Sequence, residues 1–221
     1  MEFFYNFWNV FISIFSSSEN LVQRVLENIS LLTGIVSIIY IIKQKPVGWI
    51  FGFISSAILI NIYFSSQVYL QSLLNLYYAF AAIYGYILWI KKGDNNKYVL
   101  KIADYSLKSH VIIILFGLII TVLLDLLMTY VFKSNLTLLD SSIFSFSIIA
   151  TALQTKKIKS NWLYWMAINS LAILLALKAQ LYPVALLMSV YLAAAIFGYI
   201  KWRNTYVSNI NQLKIPPNST Y

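Results

Sequence analysis

Seven long apolar segments, separated by short polar connectors, run along the chain. They occupy roughly residues 22–42, 47–66, 69–90, 110–132, 139–155, 161–178 and 182–202. A helix that crosses a bilayer needs about 20 mostly apolar residues, and each segment comes close to that length. Among the connectors, only Lys91–Lys108 is long enough to form an extended polar loop. The pattern predicts an all-α membrane protein with seven transmembrane helices.

The end of the third segment occurs twice in the chain. The sequence AAIYGYILW at Ala81–Trp89 returns 113 residues later as AAIFGYIKW at Ala194–Trp202, and the same ungapped register aligns Trp49 with Trp162. Chance aligns Leu or Ile more easily than Trp, Tyr and Gly. The register therefore predicts two parallel three-helix repeats joined by a linker helix, a 3+1+3 arrangement.

These boundaries divide the chain into five regions. Aromatic residues recur near helical spacing in the first 20 residues, which suits a helix lying in the membrane interface. The expected organisation is an interfacial segment (1–20), a first repeat (21–92), a loop with the linker helix (93–133), a second repeat (134–203) and a cytoplasmic tail (204–221).

The distribution of charge predicts an orientation. Only 10% of the residues are charged, whereas a soluble domain carries roughly a quarter. If the seven spans alternate in direction, 13 of the 16 basic residues fall on one side, which leaves Arg24, Lys133 and Lys178 on the other. Basic residues favour the cytoplasmic side, so we expect the N-terminus outside and the C-terminus inside. The net charge of +9 then indicates topology, and no nucleic-acid partner is expected.

The inventory of reactive side chains is small. Cysteine is absent and His110 is the only histidine, so we expect no metal site, no cofactor and no enzymatic activity. Asp125 lies inside the fourth segment, between Thr121 and Thr129. A carboxylate within the membrane can couple protons to transport. We favour a structural hydrogen bond or a hydrated position at the membrane interface, because the linker helix lies outside the repeats.

Polar and aromatic stripes at helical spacing mark four of the predicted helices. They comprise Ser30, Thr33, Ser37 and Tyr40; Gln71, Asn75 and Tyr78; Asp140, Ser147, Thr151 and Gln154; and Trp162, Trp165 and Asn169. Such faces suit a flat organic molecule, because rings stack on Trp or Tyr while amides bond hydroxyl and amide groups. Two other interpretations stay open: Ser and Thr stripes join membrane helices, and Trp near a helix end anchors it at the interface.

Several local sequences resemble one family of membrane proteins. They include Glu27 seven residues before Gly34, IYGY followed by Trp89, and NWLYWMAIN at Asn161–Asn169 with the following QLY of Gln180–Tyr182. In this order and spacing the chain resembles the Pnu family of vitamin transporters. The resemblance implies a seven-helix 3+1+3 fold, a homotrimer, and passive uptake of an unphosphorylated vitamin. It also implies that phosphorylation by a cytosolic kinase drives this uptake.

The resemblance, together with the stripes, gives a candidate substrate site between the helices. Trp165 would stack on the substrate ring, and Asn75 and Asn169 would bond its ribose or amide groups. The full candidate lining is Asn75, Tyr78, Asp140, Trp162, Trp165, Asn169 and Tyr191.

Nicotinamide riboside is the first candidate substrate, but two positions depart from the family pattern. Members that carry it tend to have Gln where this chain has Asn75, and Asn where it has Ala82. Thiamine, riboflavin or a deoxynucleoside are therefore alternatives. A substrate-capture subunit of an ATP-driven vitamin importer and a sugar carrier are rivals from other classes.

Overall fold

The computed structural model describes residues 21–92, 100–133 and 138–214, which form seven helices. The predicted interfacial segment (1–20) lies outside the described residues. A π-helical turn, Leu127–Val131, follows the fourth helix. The helices are α1 Leu21–Ile42, α2 Val47–Ser65, α3 Tyr69–Ile90, α4 Leu107–Leu126, α5 Leu138–Thr155, α6 Asn161–Lys178 and α7 Tyr182–Lys214.

The seven-helix prediction is confirmed, with two qualifications. Six of the described helices are long and apolar enough to cross a membrane, and α6 is the exception. The polar and aromatic residues in the first half of α6 lower its hydropathy, and these are the residues predicted to line the site. Helix α7 does not end near Trp202 but continues to Lys214, because Arg203–Lys214 contains neither Pro nor Gly to stop it.

The helices form two groups of three with α4 at one side. Helix α2 packs on α1 and α3, while α6 packs on α5 and α7. The two groups meet where α3 contacts α5 and where α1 contacts α7, and α4 packs on α5. The space between the groups is therefore bordered by α1, α3, α5 and α7, three of which carry polar stripes. Trp165 of α6 also reaches the hydrophobic cluster that the two groups share.

Hydrogen bonds between helix ends show that the helices alternate in direction. The indole N–H of Trp89, at the end of α3, donates to the carbonyl oxygen of Thr155, the last residue of α5, at 2.8 Å. At the same end His110, near the start of α4, lies 3.0 Å from the Ser160 hydroxyl, just before α6. At the opposite end Ser141 of α5 donates to Asp125 of α4 at 3.4 Å. Most of the lysines lie at the first of these ends, hereafter the basic end.

The two groups share their turn geometry at a constant offset of 113 residues. Gln44 and Lys157 both have positive φ angles, 57° and 52°, and so do Gln67 and Gln180, at 60° and 59°. The backbone N–H of Gln44 donates to the carbonyl of Ile41, and that of Lys157 to the carbonyl of Gln154, which again lies 113 residues further on. The predicted repeat register therefore also aligns the turns of the two groups.

Candidate substrate site between the two helix groups

Four Trp side chains close the basic end of the space between the groups. Trp49 meets Trp89 edge to face with ring centroids 5.4 Å apart, and Trp162 meets Trp202 in the same way, also at 5.4 Å. Trp89 and Trp202 then touch each other across the two groups, at 6.0 Å. Large aromatic rings in such contact exclude water and small molecules. The structure therefore shows this end closed.

The closure depends on two glycines in equivalent positions. A Cβ atom on Gly85 would lie 2.5 Å from the Trp49 ring, and one on Gly198 would lie 2.6 Å from the Trp162 ring. Only glycine admits these contacts. The predicted site residue Trp162 is 0% exposed, and the structure places its ring in this closure, against Trp202 and Gly198.

The connector that precedes α4 is bound to the α5–α6 turn. The backbone N–H of Ala103 donates to the Lys157 carbonyl at 3.1 Å, and that of Lys159 donates to the Ala103 carbonyl at 2.8 Å. The Lys157 ammonium group donates to the Leu100 carbonyl at 3.1 Å. Burial lowers the pKa of Lys157 from its usual 10.5 to about 8. This strap, residues 100–106, makes these backbone hydrogen bonds to the second group, while Leu100 and Ile102 pack in a hydrophobic cluster that contains residues of both groups.

Charged and polar side chains link the strap to the first residues of α4 and α6. Lys159 pairs with Asp104, and the His110 ring contacts both Ser160 and the Tyr164 hydroxyl at 3.0 Å. Burial opposes ionisation of Asp104, but hydrogen bonds from Lys159 and Ser160 outweigh it and hold its pKa below the usual value. His110 is therefore part of a structural network.

On the first group, Tyr77 and the predicted residue Tyr78 of α3 contact α5, while the predicted residue Asn75 makes its hydrogen bond within α3. Asn75 is buried and its amide N–H donates to the Gln71 carbonyl at 2.8 Å. The Tyr78 hydroxyl hydrogen-bonds the Ser147 hydroxyl of α5. Tyr77 donates to the Ile148 carbonyl at 2.9 Å. The contact between α3 and α5 is thus polar, and Tyr78 joins the two groups.

On the second group, α6 carries Trp165 and Asn169 at successive turns of one face. Trp165 is partly buried beside the Trp cluster, and its indole N–H donates to the side-chain oxygen of Gln154 on α5 at 3.1 Å. Asn169 is buried, at 6% exposure, one turn further from the basic end. This places an aromatic ring and an amide at neighbouring depths, as the stripe on α6 predicts.

Tyr191 reaches across the bundle to the first group. A Cβ atom on Gly34 of α1 would lie 3.2 Å from the Tyr191 hydroxyl and 3.3 Å from the Ser55 hydroxyl. Ser55 itself donates to the Ser30 carbonyl at 2.8 Å. The Tyr191 hydroxyl therefore lies among polar groups of α1 and α2. Tyr191 and Tyr78 occupy equivalent positions, 113 residues apart, and both connect the two groups.

Three carboxylates lie in the helices, all nearer the end opposite the lysines. Glu27 of α1 and the predicted site residue Asp140 of α5 occupy equivalent positions, 113 residues apart. The Gln23 amide donates to Glu27 at 3.1 Å. Asp125 of α4 accepts from Ser141, which agrees with the structural role favoured for it.

Ser55 and Tyr63 extend the polar lining but stand outside the predicted stripes. Tyr63 of α2 is close enough to Tyr78 and Tyr191 to interact electrostatically with both. The repeat register gives no signal for either residue, because it pairs Ser55 with Ile168 and Tyr63 with Ala176. A surface groove of about 510 Å³ near the end of α7 touches none of the predicted residues; it is lined by Arg203, Asn204, Val207, Ser208, Asn211 and Gln212.

Comparison with known proteins identifies relatives of similar length. The Nicotinamide riboside transporter PnuC of Escherichia coli (strain K12) is 23% identical over 205 residues, which cover 81% of this chain and 85% of that protein. The protein of the same name from Neisseria mucosa is 24% identical over 189 residues, or 80% and 71% of the two chains.

A solved structure and a family match agree with these relatives. The structure described as "Crystal structure of the Vitamin B3 transporter PnuC" has the same fold, with a TM-score of 0.71 at 20% identity over 90% of this chain and 88% of that one. Residues 24–204 match the family described as Nicotinamide mononucleotide transporter. The chain therefore belongs to that family, as a multi-pass membrane transporter and not an enzyme.

Proposed function

We propose that this protein carries an unphosphorylated, positively charged vitamin across the membrane by facilitated diffusion, with nicotinamide riboside as the first candidate. The relatives named as nicotinamide riboside transporters support this substrate. The family description, in contrast, names the mononucleotide. The two molecules differ by one phosphate group, so the charge of the helices helps to choose between them.

The charge distribution in the helices carries the proposal. No Lys or Arg occurs between Lys45 and Lys91 or between Lys159 and Lys178, and the basic residues of the other apolar segments, Arg24 and Lys201, lie within three residues of a segment end. A phosphate brought into the middle of such a low-dielectric region would have no cationic partner, which is costly. The acidic residues of the helices are Glu27, Asp125 and Asp140, and these attract a cation.

Nicotinamide riboside fits this chemistry in each of its parts. Its pyridinium ring is planar and positively charged, and Trp165 offers an aromatic face to it. Its amide and ribose hydroxyls need donors and acceptors, which the buried amides of Asn75 and Asn169 supply. Tyr78 and Tyr191 would complete the lining, with Asp140 nearer the entrance. Trp162 would contribute to the closure and not to the substrate contacts.

We propose that the basic end faces the cytoplasm, following the positive-inside rule. Facilitated diffusion alone equalises concentrations, so phosphorylation of the vitamin by a cytosolic kinase would drive net uptake. The matched turns and Trp contacts support two parallel repeats that rock about the central space. Assembly as a homotrimer is proposed from the family resemblance alone.

Thiamine is the second candidate, because it also carries a permanent positive charge on a flat ring. Asn75 and Ala82 depart from the pattern of nicotinamide riboside carriers, and both lie on the buried side of α3. Riboflavin and deoxynucleosides are uncharged and gain nothing from the carboxylates. A substrate-capture subunit would bind its vitamin without moving it unaided.

A thermal-shift screen of the purified protein tests the proposed substrate. A ligand that binds only the folded state stabilises it by about 2.7 kcal/mol at a hundredfold excess over its Kd. We expect a shift with nicotinamide riboside and none with nicotinamide mononucleotide at equal concentration. A shift with thiamine alone would move the assignment to the second candidate. An equal shift with the mononucleotide would contradict the electrostatic argument.

A further inference from the structure

We infer that Gln154 is a positioning residue that fixes the plane of the Trp165 ring for substrate stacking, an inference that rests on the function proposed above. Gln154 lies on α5 and Trp165 on α6, and the indole N–H of Trp165 donates to the Gln154 side-chain oxygen at 3.1 Å. Both side chains are partly buried. No substrate contact is assigned to Gln154 itself.

The chemistry of the indole and the side-chain amide fixes the direction of this hydrogen bond. An indole N–H can only donate, so the Gln154 amide must turn its oxygen toward the ring. The bond restricts rotation of the indole about its side-chain torsions. A stacking platform binds a flat ring well only when its plane is already set, because otherwise binding has to order it. Gln154 would thus supply preorganisation of the site.

The first helix group provides an internal control for this interpretation. At the position equivalent to Gln154 it has Ile41, which is 2% exposed, and at the position equivalent to Trp165 it has Gly52. The fold therefore accepts an apolar side chain at this place in the helix. The amide of Gln154 occurs together with Trp165, in the group that carries the proposed platform, so a purely structural need does not explain it.

The asymmetry also indicates how the substrate ring would lie. A Cβ atom on Gly52 would lie 3.0 Å from the Ser37 hydroxyl, so the first group presents a small polar surface where the second presents an indole. A flat ring would then stack on one side only, on α6, with its polar edge directed toward α1 and α2. The orientation of the Trp165 ring would consequently determine most of the contribution of stacking to substrate binding.

Substitutions at Gln154 test the inference in the full-length purified protein. Q154M removes the acceptor but keeps the length of the side chain, Q154I introduces the residue of the first group, and Q154E keeps an acceptor. Loss of one hydrogen bond corresponds to about a fivefold to tenfold increase in Kd. We expect that increase for nicotinamide riboside in Q154M and Q154I, and binding at least as tight as in the wild type in Q154E, which keeps the acceptor and adds a negative charge near a cationic ring.

A spectroscopic measurement separates positioning from stability. The emission of Trp165 is obtained as the difference between each protein and its W165F counterpart. In the substrate-free protein it should be shifted in Q154M, where the indole N–H loses its acceptor, and should match the wild type more closely in Q154E. Gln67→Met, at an exposed turn on the opposite end, is the matched control and should change neither quantity.

Two results would overturn the inference. One of them leaves the proposed substrate site intact, and the other contradicts that site as well. If W165A weakens binding while Q154M and Q154I bind like the wild type, Gln154 has no positioning role and the proposed site stands. If W165A itself leaves the Kd unchanged, Trp165 is not the platform, and the proposed site fails together with the inference.

Discussion

The ammonium nitrogen of Lys157 lies 4.5 Å from the centroid of the Trp89 ring. Lys157 belongs to the turn between α5 and α6, whereas Trp89 ends α3, so this cation–π contact joins the two helix groups. The same nitrogen donates to the Leu100 carbonyl of the strap. One side chain therefore connects both groups and the connector at the closed end.

Because of Lys157, the stability of the protein should increase with pH in the alkaline range. Burial lowers its pKa in the folded state to about 8, against 10.5 for a free side chain. Between these values the unfolded chain binds a proton that the folded protein does not, so stability increases as pH rises from about 8 toward 10.5. We expect a gain on the order of 1–2 kcal/mol between pH 7.5 and 9.5, measured as the midpoint of thermal unfolding.

Lys156 provides the control for that experiment, because it is the exposed neighbour of buried Lys157. K157M should abolish the alkaline increase in unfolding temperature, and K156M should retain it. An increase that persists in K157M would assign the effect to another group.

The ion pair of Asp104 and Lys159 should stabilise the strap at neutral pH. The folded-state pKa of Asp104 lies below the usual 3.8, so its contribution is present above that value and is lost as pH falls through the folded pKa. D104N and K159M should each lower the unfolding temperature at pH 7. Because the pair is partly exposed, we expect a coupling of about 1 kcal/mol or less, measured by a double-mutant cycle.

Additive effects of D104N and K159M in that cycle would show that the two charges act independently. The difference between wild type and D104N should also begin to shrink as pH falls below about 4, and should disappear only below the folded-state pKa of Asp104.

Replacing Gly85 or Gly198 by a larger residue should destabilise the protein, and for the same reason in both helix groups. An added Cβ would lie 2.5–2.6 Å from a Trp ring, and overpacking of this kind costs about 1–3 kcal/mol. G85A and G198A should each lower the unfolding temperature by a similar amount. G52A is the milder control, since its nearest neighbour is the flexible Ser37 hydroxyl at 3.0 Å. Equal effects of all three substitutions would contradict the packing argument.

Most helix boundaries could be predicted from sequence almost to the residue, because they follow polar connectors and the length of a span. Helix α4 begins earlier than predicted, at Leu107, because Ser106 accepts a hydrogen bond from the backbone N–H of Ser109 and caps the helix there. The end of α7 could not be predicted, since the hydropathy of a span gives no information on how far a helix continues beyond it.

The positive-inside rule treats Lys157 like the other lysines, as an indicator of topology. Its burial depends on Leu100 and Trp89, which are distant in sequence, and periodicity along one helix cannot reveal such partners.

The surroundings of the candidate site residues could be predicted only in part for a related reason. Helical spacing identifies residues that share a face, so it grouped Trp162 with Trp165. Their environments differ because Gly198 admits the first ring into the closure, whereas Gln154 holds the second by a hydrogen bond. The repeat register predicts more than the stripes do, since it relates each residue of one group to a partner in the other.

Neutralising the carboxylates should weaken binding of cations selectively. E27Q and D140N each remove one negative charge from the helices, and in a partly hydrated site this should raise the Kd of nicotinamide riboside by about threefold to tenfold. An uncharged nucleoside that binds should be affected by less than about twofold. Isothermal titration with both ligands makes the comparison, and equal losses for both would indicate that the substitutions disturb the site generally.

Uptake of labelled nicotinamide riboside into liposomes that contain the purified protein tests the central claim most directly. The label should equilibrate without accumulating in empty liposomes, and it should accumulate when a nicotinamide riboside kinase and ATP are trapped inside. Labelled nicotinamide mononucleotide should not enter in either case. Accumulation without the kinase, or entry of the mononucleotide at a comparable rate, would contradict facilitated diffusion of an unphosphorylated vitamin.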